Sequence, residues 1–354
     1  MDEKSLQLKL REHYTKQLPF VVYAAPEETS FQGLFQPTSE DVDTKDFSKS
    51  GFVFAPFNDG ERLFIPREGS ESCSGNFSEK ITAQTVAPME VDTAAKSFYI
   101  SLVQRAIKSI AAENHSKIVT SRCQVIPLSN FDLDLLLTRI FGLHQSAFRF
   151  IWFHPSSGIW CGATPEVLLK TNGIEFSTMA LAGTQNFRAD REPRWESKEI
   201  DEQKWVVDAI TTKLESAASV IRVSSTRNHK AGTMVHLRTD FNGVFKKGCA
   251  NVARLVDSLH PTPAVCGTPD DKAMEFILQN ENYSRQYYAG FLGPVDSCGK
   301  QSTLYVNLRC MQIDQVKAHL FVGGGITIDS NPEAEWKETE NKLQTMLQVI
   351  APML

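Results

Sequence analysis

One lysine and four glutamates are of types, and at positions in the sequence, that could serve acid–base or metal chemistry. Glu166 follows an apolar strand pattern and a proline and precedes Val-Leu-Leu, which places its carboxyl group among apolar neighbours. A buried glutamate has a raised pKa and can stay protonated near neutral pH, as a general acid must. A carboxylate at a strand end can equally reach solvent, and the residue types alone leave both arrangements open.

Lys117 begins the strand pattern Lys-Ile-Val-Thr-Ser-Arg. A lysine in a partly buried strand can have its pKa lowered toward neutral pH and then act as a base. The commoner arrangement is a lysine at a solvent-facing strand end, and position alone favours it.

Glu202 falls in the middle of the apolar face of a helix predicted over residues 195–218. That face is marked by Trp195, Val206, Ala209 and Ile210. A carboxylate there is desolvated unless a cation or a hydrogen-bond donor meets it. The position indicates a metal or substrate partner, and a side chain that extends to the rim of the helix is the alternative.

The last predicted helix, over residues 333–350, carries two neighbouring stripes. The apolar stripe consists of Trp336, Leu343, Met346, Leu347 and Ile350. Glu335, Glu338 and Lys342 form the second stripe. The two carboxylates could hold a hard cation such as Mg²⁺, which prefers oxygen ligands. Acidic residues also complement the dipole of a helix N-terminus, and the spacing alone favours that explanation.

Gly323, Gly324 and Gly325 follow a predicted strand just before this helix. A triple glycine is typical of a tight turn, and equally of backbone that lies against a ligand, because glycine lets amides approach closely. The spacing does not match a dinucleotide-binding fingerprint. P-loop, serine-hydrolase and zinc-protease motifs are absent from the chain.

Composition excludes several classes of protein. The chain has 354 residues, 42% hydrophobic and 22% charged, with a formal net charge of −5, which excludes disordered, collagen-like and coiled-coil chains. A slightly acidic chain without basic clusters argues against a nucleic-acid partner. No apolar run approaches the roughly 18 residues of a membrane span, and the charged first residues lack the apolar core of a secretory signal. We therefore expect a cytoplasmic protein with no membrane partner.

The seven cysteines are scattered and include no C-x-x-C pair. A disulfide framework needs an even count, and a zinc site needs closely spaced pairs. We expect them all to be reduced.

The elements that would position the charged residues are mostly hairpin-type strands. Helices are predicted over residues 94–113, from Ser129 or Asn130 to Gly142, and over 195–218, 250–259, 271–279 and 333–350. Strands are predicted over 19–25, 51–57, 62–65, 117–126, 148–154, 158–162, 174–179, 234–237, 288–295, 304–313 and 318–322. Helices and strands do not alternate one for one, which favours the α+β class with mostly antiparallel sheets over a doubly wound parallel sheet. No repeat or long linker divides the chain, so we expect one domain over residues 1–354.

Eight segments, in order, resemble the chorismate-utilising enzymes, which comprise the isochorismate, salicylate, anthranilate and aminodeoxychorismate synthases. They are 117–122, 162–169, 180–184, 197–202, 259–267, 288–290, 307–309, and 323–326 followed by 330–338. The likeness covers about residues 95–354, the family core, and residues 1–90 carry no comparable signal. It implies one α+β domain of two stacked, mostly antiparallel sheets flanked by helices, a cleft for a dicarboxylate, and dependence on Mg²⁺.

The resemblance also implies roles for individual residues. Glu202 and Glu335 are expected to bind Mg²⁺, with Glu338 binding directly or through water. Glu166 is expected to be the general acid that assists loss of the C4 hydroxyl, and Lys117 the general base that activates water for attack at C2. The expected substrate-binding residues are Ala182, Gly183, Thr184, His260, Arg309, Gly323, Gly324 and Lys342. Among these, Arg309 suits the enolpyruvyl carboxylate because its planar fork can donate two hydrogen bonds.

The same resemblance separates the possible nucleophiles. Amine-adding members have Gln in place of Lys117, and the aminodeoxychorismate type has a lysine nucleophile where Ala182 stands here. Salicylate synthases share the lysine, then eliminate pyruvate, and usually differ around His-Pro-Thr-Pro-Ala. We therefore expect an isomerase that adds water to chorismate, an isochorismate synthase, serving menaquinone rather than siderophore biosynthesis. A salicylate synthase and a non-catalytic chorismate-binding relative are the alternatives.

The chain departs from the family pattern beside one expected metal ligand. Relatives often read Lys-Asp-Arg-x-Glu-His where this chain has Lys198-Glu-Ile-Asp-Glu202-Gln203. The expected ligand is retained, but the surroundings that tune it differ. In addition, Gly-Gly-Gly replaces the commoner Gly-x-Gly. No interface signal stands out, so we expect a monomer or a weak homodimer.

Overall fold

A computed structural model describes residues 1–42, 47–77, 81–82, 86, 92–113, 116–187, 190–231, 234–246, 252–297 and 300–354. The helices are α1 (Glu3–Thr15), α2 (Thr93–Glu113), α3 (Leu133–Gly142), α4 (Ser197–Glu215), α5 (Val252–Leu259), α6 (Asp270–Asn280) and α7 (Pro332–Ile350). None of these described helices combines the length and apolar character needed to cross a bilayer.

The strands are numbered in chain order. The first nine are β1 (Phe20–Ala24), β2 (Ser30–Phe35), β3 (Gly51–Ala55), β4 (Leu63–Pro66), β5 (Glu71–Asn76), β6 (Lys117–Pro127), β7 (Phe148–His154), β8 (Gly158–Thr164) and β9 (Val167–Asn172). The others are β10 (Glu175–Asn186), β11 (Ala218–Val223), β12 (Arg227–Ala231), β13 (Met234–Phe245), β14 (Gly267–Thr268), β15 (Phe291–Val295), β16 (Gln301–Val306), β17 (Cys310–Ile313) and β18 (Lys317–Ile326).

These strands form two antiparallel sheets, which confirms the predicted fold class. Sheet A has the order β14-β6-β18-β17-β8-β7-β1-β2-β5. Sheet B has the order β11-β13-β10-β9-β16-β15-β3-β4, with β12 also paired to β13. Aromatic side chains join the sheets face to face: Phe148 of sheet A stacks on Tyr305 of sheet B, with ring centroids 4.0 Å apart.

The helices cover the remaining faces of the sheets. Side chains of α2, α4, α5 and α6 belong to the core between the sheets, and α1, α3 and α7 bury apolar side chains in a second core on the other face of sheet A. The apolar stripe predicted on α7 is buried throughout. The stripe therefore fixes which face of α7 points inward and which carries the charged residues.

Residues 1–90 contribute strands to both sheets. β1 lies between β7 and β2 in sheet A, and β3 pairs with β15 in sheet B. This segment also contains α1, which was not predicted, because Leu6 and Leu10 are its only buried side chains among many charged residues.

Several predicted boundaries differ from the structure. The N-cap of α3 is Asp132, whose carboxylate accepts hydrogen bonds from two backbone amides, rather than Ser129 or Asn130. Trp195 lies before α4 and donates to Asn228 at 2.7 Å, so it does not belong to the buried helix face. The run 304–313 divides into β16 and β17, which belong to different sheets. The five described cysteines are free, as predicted, and Cys249 and Cys298 lie outside the described residues.

Candidate active site

A pocket open to solvent lies between the two sheets, α4 and α7. Most of the site residues expected from the sequence line it, namely Lys117, Glu166, Ala182, Gly183, Thr184, Glu202, Arg309, Gly323, Gly324, Glu338 and Lys342. They come from seven separate segments of the chain, so the fold brings together what the sequence separates.

Lys117 and Glu202 form an ion pair inside the pocket. Lys117 Nζ lies 2.8 Å from Glu202 Oε1, and only 1% of the lysine side chain is exposed. The solvent-facing strand end that position alone favoured for Lys117 is therefore wrong. The buried place predicted for Glu202 is confirmed, since it lies on the buried face of α4 with Val206 and Ile210.

Two further acid–lysine pairs follow along α7. Lys198 Nζ donates to Glu335 Oε1 at 2.6 Å. Lys342 Nζ lies 2.6 Å from Glu338 Oε1 and donates to the Gly323 carbonyl oxygen at 2.7 Å. Burial, together with the neighbouring Glu338, raises the pKa of Glu335 above its ordinary value. Each of the three expected metal ligands thus has a lysine as its partner.

The three glycines lie within β18 and beside β6, so the tight turn considered for them is wrong. A Cβ atom added to Gly325 would lie 2.3 Å from Glu202 Oε1 and 2.7 Å from Lys117 Cε. A Cβ atom added to Gly324 would lie 3.2 Å from Glu335 Oε2. Because Gly324 and Gly325 have no side chains, β18 leaves space for the carboxylates and lysine side chains beside it.

The carboxyl group of Glu166 is almost fully buried at the other side of the pocket. Burial raises its pKa to about 7, even though nearby Lys117 acts in the opposite direction. A carboxylic acid with this pKa is protonated in a substantial fraction of molecules at neutral pH. Of the two arrangements that the residue types left open for Glu166, the structure has the buried one, and with this pKa the group can donate a proton.

Lys198 and His236 line the pocket but were not singled out from the sequence. Lys198 precedes Glu202 by four residues on α4, a spacing that places both on one helix face and could have revealed it. His236, on β13, hydrogen-bonds through Nδ1 to the Gly183 carbonyl at 3.2 Å. Burial, with Arg309 and Lys342 nearby, lowers its pKa to about 3, so the ring is neutral.

His260, by contrast, lies outside this pocket. Its Nε2 atom contacts the Pro56 carbonyl oxygen at 3.0 Å, and the ring packs edge-on against Phe291. It lines a separate depression beside the segment between β3 and β4. The structure therefore does not bring His260 to the other expected substrate-binding residues.

The donor chemistry of the pocket suits Mg²⁺. The three carboxylates on α4 and α7 are hard oxygen donors directed at the same glycine backbone, and Mg²⁺ commonly uses one or two carboxylates together with water and an anionic substrate. In the described part of the chain, no three acidic, His or Cys side chains already form a complete metal site. A bound Mg²⁺ would replace lysine ammonium groups as the partner of these acids.

Comparison with known proteins identifies the family of the chain. The family model described as "Chorismate binding enzyme" matches residues 64–351. This chain belongs to the chorismate-binding enzymes. The match begins before residue 95, so part of the segment without recognisable motifs also belongs to the family region.

Individual relatives show which members of the family this chain resembles. The chain is 32% identical over 258 residues to isochorismate synthase EntC of Escherichia coli, an alignment that covers 70% of this chain and 66% of the relative. It is 26% identical over 321 residues to isochorismate synthase MenF of Pasteurella multocida, covering 85% of this chain and 73% of the relative. The chain thus spans about two thirds of the curated relatives that it matches.

Solved structures share the whole fold. A structure from Bacillus anthracis, provisionally assigned as a 2,3-dihydroxybenzoate-specific isochorismate synthase, DhbC, has a TM-score of 0.82 at 25% identity and covers 98% of this chain and 99% of its own. The menaquinone-specific isochorismate synthase MenF of Escherichia coli has a TM-score of 0.77 at 20% identity, covering 94% and 88%. Residues 1–90 are therefore part of a fold that these proteins share.

Proposed function

We propose that this chain is an isochorismate synthase, an isomerase that converts chorismate to isochorismate. The proposal rests on one observation. A buried lysine, Lys117, and a buried carboxylic acid, Glu166, whose pKa is about 7, line the same pocket. The relatives named isochorismate synthase support the same reaction.

Lys117 and Glu166 divide the proton transfers. With its side chain as the uncharged amine, Lys117 takes a proton from water as the water oxygen bonds to C2 of the ring. The ring double bonds shift, the C4–O bond breaks, and Glu166 gives its proton to the departing hydroxyl, which leaves as water. One water enters and one leaves, so substrate and product are isomers. Ala182 cannot form a covalent adduct, and Lys117 stands where the amine-adding members have glutamine, so both positions favour water as the nucleophile.

Cationic side chains suit the two carboxylates of chorismate. The guanidinium of Arg309, which lines the pocket, can take the enolpyruvyl carboxylate with two hydrogen bonds. Lys342 and the backbone at Gly183 and Gly324 add contacts for anionic oxygens. Mg²⁺, bound by Glu202, Glu335 and Glu338, would neutralise the ring carboxylate.

The relatives support a pathway for the product, and the nature of the substrate supports a compartment. The MenF relative from Pasteurella multocida, whose alignment covers 85% of this chain, supports menaquinone biosynthesis as the use of the product. A small, charged metabolite as substrate suits a cytoplasmic enzyme, and that location stays a prediction, as does a monomer or weak homodimer.

The proposal is tested by incubating the purified protein with chorismate and Mg²⁺, with and without ammonium, and separating the products by chromatography. We expect isochorismate alone, at incomplete conversion, under both conditions. Salicylate with pyruvate would assign the chain to the salicylate synthases. An aminated product would refute the assignment of water as the nucleophile, and binding without turnover would indicate a non-catalytic relative.

A further inference from the structure

Part of β10 forms backbone hydrogen bonds with a side chain of α4 rather than with a neighbouring strand. β9 pairs with β10 only as far as Ser177, and among the described residues no strand pairs with that edge farther along. Beyond Ser177, the Ala180 carbonyl and the Ala182 amide of β10 form hydrogen bonds with α4 instead of with a strand. Buried peptide groups need partners, so α4 must supply them.

Gln203 of α4 supplies these partners. Its Oε1 accepts from the Ala182 amide at 2.9 Å, and its Nε2 donates to the Ala180 carbonyl oxygen at 3.2 Å. Nε2 also donates to Thr239 Oγ1 on β13 at 3.0 Å. A carboxamide presents an acceptor and donors side by side, as a peptide group does. Gln203 therefore takes the place of one residue of a neighbouring strand.

These hydrogen bonds lie at a bulge that forms one wall of the pocket. The register of β10 against β13 shifts between Ala182 and Thr184, and Gly183 has a φ of +66°. A bulge redirects the backbone at one point of a strand. Residues 182–184, at this bulge, line the pocket. Gln203 holds the strand at Ala182, the residue where the bulge begins.

We infer that Gln203 is a positioning residue for substrate binding, which it serves by holding this bulge in place against α4. The inference rests on the proposed function, because the bulge is taken to contact the anionic substrate. Without the carboxamide, the Ala182 amide and the Ala180 carbonyl lose their partners and the bulge shifts or admits water. A neutral imidazole has one acceptor and one donor, so histidine, which relatives often carry here, can replace part of this bonding.

The test compares Gln203→Met, Gln203→His and the neighbouring, solvent-exposed Lys204→Met as a matched control. Steady-state kinetics, calorimetric binding of chorismate and thermal unfolding are measured for each. We expect Gln203→Met to raise both KM and Kd for chorismate about tenfold, with kcat changed by less than about threefold. Gln203→His should recover most of the affinity, and Lys204→Met should behave as the wild type.

The possible outcomes separate this inference from the proposed function. A Gln203→Met protein with lower Tm and lower kcat but unchanged KM and Kd would show a structural role only and refute the inference. Wild-type values throughout would refute it as well. If the wild type itself neither binds nor converts chorismate, the proposed function fails, and the inference fails with it.

Discussion

At the scale of single residues, Lys117 is the proposed general base, and its side chain is buried. The lysine forms an ion pair with Glu202, and the proposed general acid, Glu166, lines the same pocket. We predict that Lys117→Gln lowers kcat by about 10²- to 10⁴-fold, the usual contribution of a general base, because the amide still donates to Glu202 but accepts no proton. Calorimetric binding of chorismate should stay close to the wild-type value.

The matched control for Lys117 is Lys170→Gln, since Lys170 is an exposed lysine of β9. This variant should turn over as the wild type does. Turnover of Lys117→Gln within a few-fold of the wild-type rate would show that another group is the base.

The raised pKa of Glu166 gives a prediction in pH. A pKa of about 7, above the ordinary 4.5 of a glutamate, keeps the acid protonated below pH 7 and leaves it ionised above. The ratio of wild-type to Glu166→Gln turnover should therefore be large at pH 6 and fall about tenfold for each pH unit above 7. Taking the ratio removes the titration of other groups, and a ratio that is flat or rises from pH 6 to 9 would contradict the general-acid role.

The sequence indicated most of the site residues because charged side chains among apolar ones, and motifs in the right order, are visible without coordinates. It did not indicate His236, whose position depends on how β13 approaches the pocket. Lys198 was missed although its helical spacing from Glu202 is visible in the sequence. It placed His260 in the pocket by resemblance, and the structure places that ring against Pro56 and Phe291.

At the scale of elements, β18 is shaped by the absence of side chains. We predict that Gly325→Ala lowers kcat/KM by about 100-fold or more, because its Cβ would overlap Glu202 and move the pair that Glu202 forms with Lys117. Gly324→Ala should cost much less, because the nearest atom is a carboxylate oxygen 3.2 Å away that can shift by tenths of an ångström. Equal losses in the two variants, measured by steady-state kinetics, would contradict this account of the strand.

The first turns of α7 give a prediction about Mg²⁺. Asn331 caps the helix, since its side chain accepts hydrogen bonds from two backbone amides. The carboxylate of Glu335 therefore does not cap the helix, and it accepts a hydrogen bond from Lys198 instead. Glu335→Gln should raise the Mg²⁺ concentration for half-maximal activity at least about tenfold, whereas the exposed Glu333→Gln should leave it unchanged. An unaltered magnesium titration for Glu335→Gln would remove that residue from the metal-binding set.

Element boundaries show why local patterns were incomplete. β7 was predicted exactly, because it is a continuous run of buried residues between turn signals. β10 and β13 are each 12 residues long, far longer than predicted, because they pair with each other over almost their whole length. The bulge and the edge contact with Gln203 arise from tertiary packing and leave no local signal in the sequence.

At the scale of the whole molecule, the N-terminal segment belongs to the fold as fully as the family core does. Phe20 on β1 is completely buried and packs between Phe35 and Phe153. Phe20→Ala should therefore lower the free energy of unfolding by about 3–5 kcal/mol, the usual cost of a large cavity in a core. Urea unfolding measures this, with the exposed Leu8→Ala as control, and a loss below about 1 kcal/mol would mean that the segment is only loosely attached.

The fold class was predictable because the elements do not alternate as in a doubly wound sheet. The distribution of residues 1–90 over both sheets was not predictable, because strand order in an antiparallel sheet is set by contacts between distant segments. Their weak periodicity reflects strands such as β1 and β3, in which both faces are buried.

The central claim is that this pocket adds solvent water to chorismate, and oxygen-18 water tests it most directly. The reaction is run with Mg²⁺ in the labelled solvent and stopped at low conversion, and the product is analysed by mass spectrometry. The account predicts isochorismate that carries one solvent oxygen, on C2. Unlabelled isochorismate would mean that the C4 hydroxyl migrates within the molecule, which would contradict the roles given to Lys117 and Glu166.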